Sequence, residues 1–132
     1  MTGRPISLVA SLLTLAAGVL AMSGSSKARD RDAVPAATPV GKPEMCIPHR
    51  RIRDTMVRSD SVIDFKMLGG KIYRATIKGG CPGLGFQDRF GYSTALDRLC
   101  ASDLITVLYL NPIGSGARCP IGPFQQVILT AP

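Results

Sequence analysis

Four cysteines, Cys46, Cys81, Cys100 and Cys119, constrain this chain more than any other feature. Two of them open near-echoes of one another, "CPGLGF" at residues 81–86 and "CPIGPF" at residues 119–124. Zinc sites usually take their ligands in close pairs, C-x₂₋₄-C, but here no two cysteines are nearer than 19 positions. A thioredoxin-like dithiol needs C-x-x-C, and the sequence has none. An even count in an exported chain reads as two disulfides. Metal and redox roles are the alternatives. The prolines and glycines beside Cys81 and Cys119 then fix the turns that aim the thiols.

Export is itself read from the first residues. Arg4 and the amino terminus precede "ISLVASLLTLAAGVLA", residues 6–21, an uncharged apolar run. Its 16 residues fall short of the roughly 20 that a spanning helix needs. Ala21 and Ser23 are spaced as a small-residue cleavage signal, with a second choice at Ala28. This is the layout of a secretory signal peptide over residues 1–23, with an uncleaved anchor as the rival reading. It predicts a periplasmic or secreted product with no transmembrane span after processing. Residues 24–44 begin "GSSKARDRDAVPAATPVGKP", charges of both signs followed by Ala and Pro. With no apolar period to offset ordering entropy, they are expected to form a disordered linker. The folded domain is then residues 45–132, a small core that gains from cross-links.

Within that domain the patterns are short and strand-like. "RIRDTMVR" (51–58), "SVIDFKM" (61–67) and "KIYRATI" (71–77) are punctuated by Ser59-Asp60 and Gly69-Gly70. A Gly-Gly pair between such runs suits the positive φ angles of a tight hairpin turn. Ile63, Phe65 and Met67 alternate with Val62, Asp64 and Lys66, the pattern of a half-buried strand. "RFGYST" (89–94) is weaker. "DLITVLYL" (103–110) is apolar on both faces and reads as a central strand, and "FQQVILT" (124–130) closes the set. The expected fold is all-β: a small antiparallel meander or barrel of five to six short strands with two disulfides. The alternative is α+β, with a helix over residues 92–99. If successive strands run up and down, Cys46 and Cys100 fall at one end and Cys81 and Cys119 at the other. Bridged Cα atoms must come within about 7 Å, so of the three connectivities this count favours Cys46–Cys100 and Cys81–Cys119.

The formal charge is +7, a balance that favours anionic partners and equally serves solubility. Its densest part is His49 with Arg50, Arg51, Arg53 and Arg58. On a strand Arg51 and Arg53 would share a face and Arg50 would oppose them. Such a strip could grip phosphates or carboxylates of an envelope polyanion or a nucleic acid through guanidinium forks. The plainer reading is an edge strand kept from aggregating by its charges. Interleaved aromatics, the mark of single-strand stacking, are missing from the strip.

His49 is the only histidine. A catalytic role would need a nucleophile and an orienting carboxylate. Ser59, Ser61, Asp54 and Asp60 are near in sequence, but no G-x-S-x-G or comparable signature accompanies them. Asp60 and Asp64 could pair as carboxylates, yet turn and surface roles explain them more simply. Asp97 and Asp103, flanking Cys100, suit turn or strand entry. No catalytic residue, cofactor or metal ligand is therefore assigned, and the chain is expected not to be an enzyme. Leu108, Leu110 and Ile113 could instead form a patch for an envelope protein partner, or merely complete the core.

The runs "CIPHRRIRDTMVRSDSVIDFKMLGGKIYRATIKGGCPGLGF", "YSTALDRLCASDLITVL" and "CPIGPF" together resemble a family of small exported proteins of Gram-negative bacteria, a domain of unknown function. The resemblance covers residues 46–124, and its four-cysteine frame with "RLCASD" and "CPIGPF" carries it. It implies an envelope location and a disulfide-framed domain, and supplies no activity, substrate or catalytic residue.

Overall fold

The alternation of Ile63, Phe65 and Met67 with Val62, Asp64 and Lys66 becomes a strand whose first set faces the core, at 0%, 0% and 4% exposure. The computed structural model describes Gly3 and residues 34–94 and 96–130. The segment expected to be a signal peptide, residues 1–23, and the expected linker as far as residue 33 lie outside the described residues, apart from Gly3. Ten strands follow in chain order: β1 (Ala37–Pro39), β2 (Cys46–Pro48), β3 (Ile52–Val57), β4 (Val62–Met67), β5 (Ile72–Thr76), β6 (Phe90–Tyr92), β7 (Arg98–Cys100), β8 (Leu104–Leu110), β9 (Ile113–Pro120) and β10 (Phe124–Leu129). One helical turn, α1 (Leu84–Gln87), lies between β5 and β6. No helix among the described residues is long and apolar enough to cross a membrane.

All the pairings between strands are antiparallel, and the fold is all-β. β3, β4 and β5 form the expected meander, extended by β10 and β1 into a five-stranded sheet of order β1-β10-β5-β4-β3. Gly69 and Gly70, at φ 92° and 94°, make the β4–β5 turn. β6, β8 and β9 form a second sheet with β8 at its centre, and β2 pairs with β7. Residues 98–100 are thus a strand, where the sequence allowed a helix over 92–99.

The strand count exceeds five to six because four strands lack an apolar alternation. β1 lies within the segment expected to be a disordered linker. Ala37, Thr38 and Pro39 instead pair with Leu129, Ile128 and Val127, and Gln125 donates its side-chain amide to the carbonyls of Val40 and Gly41. Backbone pairing orders a segment that has little apolar surface to bury.

A single core unites the sheets. Phe65 of β4 meets Phe124 of β10 and Phe90 of β6 edge-on, at centroid distances of 5.6 and 6.3 Å. Such edge-to-face pairs add to the apolar burial. Ile47 and Leu99 from the β2–β7 pair and Ile105 and Val107 from β8 complete the cluster, each at 0% exposure. One disulfide lies within this core and the other beside it. Cys46 is the register partner of Cys100 across β2–β7, and Cys81 reaches Cys119 of β9. The "CPIGPF" run leads from the end of β9 into β10 and passes so close to β5 that a Cβ on Gly122 would overlap the Thr76 carbonyl oxygen. Only glycine permits that approach.

Candidate functional site

Pro48 ends β2, and His49–Arg51 then form a 3-10 turn instead of continuing as strand. The expected alternation of the basic strip is therefore lost before Arg51, and Arg53 stands at a register shift between Ile52 and Asp54. The four arginines meet different fates. Arg50 Nε donates to Asp97 Oδ1 at 3.0 Å, an exposed pair of the kind that contributes little stability. Arg58 Nε reaches Asp64 Oδ2 at 2.9 Å. Arg51 and Arg53 have no carboxylate within ion-pair distance among the described residues. As the outermost strand, β3 does carry charges along a sheet edge.

Asp64 departs from its expected surface role. It is wholly buried on the face of β4 opposite Phe65, where Arg74 clamps both of its oxygens at 2.7 and 2.9 Å while Arg58 adds a third bond. Arg74 also donates to the Pro35 carbonyl at 3.0 Å, tying the segment before β1 to the sheet.

Four of the other candidate carboxylates and hydroxyls hold backbone. Asp54 accepts from the Thr55 amide, Asp60 from Gly85, Asp103 from Cys100, and Ser59 from Ser61. His49 Nδ1 stands 4.0 Å from Asp97, and its ring meets Tyr92 edge-on at 5.6 Å. Burial raises the Tyr92 hydroxyl pKa. All four cysteines are spent in disulfides, so none is available as a thiolate ligand or redox nucleophile.

Arg51 lines a cleft of about 270 Å³ with Pro48, Met67, Leu68, Lys71 and Tyr73. Met67 and Tyr73 form its buried floor, at 4% and 7% exposure, and Arg51 and Lys71 are exposed at its rim. The Leu68 amide donates to the Arg51 carbonyl at 2.8 Å and so pins the β4–β5 turn against the 3-10 turn. Tyr73 donates its hydroxyl to Glu44 Oε1 at 3.1 Å. Burial first, and then this carboxylate, raise the Tyr73 pKa and keep the phenol protonated. Lys71, Tyr73 and Glu44 were not legible as site residues. The one available signal was that Lys71 follows the Gly-Gly turn directly.

A second surface lies on the β6-β8-β9 sheet. Ile105 and Val107 point into the core, and Leu104, Thr106, Leu108 and Leu110 alternate with them on the other face. Ile113 is the register partner of Leu110. Leu104, Leu110 and Ile113 are 43%, 51% and 88% exposed, and Leu108 is half-buried. No family model, curated protein or solved structure matches this chain.

Proposed function

We propose that the chain is a non-catalytic exported accessory domain of the bacterial envelope, periplasmic or secreted, that works through contact with another protein. One observation carries this reading: Leu104, Leu110 and Ile113 present aliphatic surface on the sheet face turned away from the core. Leu110 and Ile113 are register neighbours, and exposed apolar surface shared by neighbouring strands is a mark of interaction sites. Two disulfides fit an oxidising compartment. Asp54, Ser59 and Asp60, near His49 in sequence, are engaged in holding backbone amides, which supports a binding role over a catalytic one. Leu110→Asp is expected to weaken capture of a specific partner from envelope extract by about tenfold or more, with the circular dichroism spectrum unchanged. Equal capture by both proteins would remove the face from consideration. Hydrolysis of an envelope substrate that depends on His49 would replace the reading with an enzymatic one.

A second reading is an anion-binding module, favoured by Arg51 and Arg53 standing without counter-carboxylates among the described residues while Arg50 and Arg58 are paired. Retention on heparin is expected to fall steeply with salt as counterions are released, and to fall further in the Arg51→Ala/Arg53→Ala variant. Retention unchanged by that double substitution rules out the strip.

A further inference from the structure

We infer that the cleft between the 3-10 turn and the β4–β5 turn binds a carboxylate carried on a short apolar or aromatic body. The inference goes beyond the polyanion reading, because it concerns one small open cleft for a single group and needs no repeating charge. Its chemistry is divided between rim and floor. Arg51 and Lys71 line one cleft from two different segments, and backbone hydrogen bonds fix both segments. Leu68 N to Arg51 O at 2.8 Å joins the turns, while Met67 N to Lys71 O at 2.8 Å and Gly70 N to Met67 O at 3.0 Å close the hairpin. The rim cations are thus carried on a preorganised backbone, which lowers the ordering cost of binding. A guanidinium fork beside an ammonium matches a carboxylate.

The floor selects the rest of the ligand. Met67 and the Tyr73 ring are buried beneath the rim, and Pro48 and Leu68 form apolar walls. Apolar lining with a few converging polar groups is the general composition of small-ligand sites. A volume of about 270 Å³ lies just below the range for drug-sized ligands, roughly 300–1,000 Å³. It accommodates a side-chain-sized body and excludes a folded surface. Tyr73 directs its hydroxyl away to Glu44, leaving the ring to pack against the body. The apolar floor and walls leave a phosphate, carrying about two charges, worse solvated than a carboxylate, so the cleft suits a monoanion better. An aryl or alkyl carboxylic acid and the C-terminal residue of a peptide share this chemistry.

The test is a titration followed by the amide resonances of Leu68, Gly69 and Lys71 in the whole protein. Phenylpropionate is compared with its amide, N-acetyl-glycyl-phenylalanine with its C-terminal amide, and both acids with inorganic phosphate. Each acid is expected to shift these resonances saturably and to bind about tenfold or more tightly than its amide, since a hydrogen bond to a charged group is lost. Tighter binding of the peptidyl acid identifies a chain terminus as the source, and equal binding a free acid. Lys71→Ala should weaken the acids by a similar factor while leaving heparin retention through Arg53 in place, which separates this site from the strip. Equal binding of acid and amide, tighter binding of phosphate, or no saturable shift at these amides would overturn the assignment.

Discussion

Replacing Asp64 with alanine is expected to cost about 3–5 kcal/mol, the range for removing one partner from a buried ion pair. A small domain has only about 5–15 kcal/mol in total, so the variant should be marginal at best. The carboxylate is wholly buried, and its partners Arg58 and Arg74 are themselves only 22% and 15% exposed. Without it, two guanidiniums stand side by side with their hydrogen bonds to the carboxylate lost, in a site too dry to screen them. Urea denaturation gives the loss as a shift in midpoint at constant slope. The companion variant replaces Asp64, Arg58 and Arg74 together with Leu, Met and Met. It should recover most of the stability, because exchanging a buried ionic group for apolar side chains of similar size is often neutral or favourable. A loss below about 1 kcal/mol in Asp64→Ala would mean that water reaches the cluster and solvates it.

Removing both disulfides is expected to unfold the protein at 37 °C. The bridges close separations of 54 and 38 residues, each worth about 4 kcal/mol in the chain-entropy model. Their combined loss, about 8 kcal/mol, matches or exceeds what a small domain can spare. The single-bridge variants, Cys46→Ala/Cys100→Ala and Cys81→Ala/Cys119→Ala, should each fold with a lowered melting temperature. The second pair should lose more than its loop length implies, because Cys81 and Cys119 are 0% and 8% exposed and their removal also opens a cavity. Mild reduction should open Cys46–Cys100 first, since its sulfurs belong to half-buried residues. A four-alanine variant with an unchanged melting curve would show that packing alone holds the fold.

The parts of the fold legible in the sequence are those that side-chain alternation encodes. Residues 62–67 announce β4 because one face of that strand meets Phe124 and Phe90 and the other does not. β9 announces nothing: "IGSGARCP" has no apolar period, and it is a strand because β8 presents it with a backbone edge. β1 is ordered the same way by β10. The disulfide pairing agrees with the up-and-down count, although that count omitted β2 and β7, the two strands that carry Cys46 and Cys100 as register partners. Cys46 and Cys100 meet because those two strands pair, not because they share an end of a meander.

The candidate sites were legible in part for a related reason. Arg51 was visible as a charge, but its setting depends on a 3-10 turn after Pro48 and on Lys71 and Tyr73, which reach the cleft by way of a hairpin. Asp64 looked like an ordinary outward position of a half-buried strand. Its burial depends on arginines 6 and 10 residues away folding over it. Leu110 and Ile113 were open to two readings, and the parity of β8 places them away from the core.

The position of β10 has a consequence for the order of assembly. It is the last described strand in sequence, yet it lies inside the five-stranded sheet, between β1 and β5. A chain that emerges amino terminus first, from a ribosome or a translocation pore, therefore exposes the unpaired edge of β5 until residues 124–129 arrive. Until then β1 has no neighbour at all. Sheets closed by pairings so distant in sequence form slowly, and an open edge in the meantime can pair with other chains. The interval before residues 124–129 clear the machinery is thus when this protein is most exposed to aggregation and most in need of a chaperone's cover.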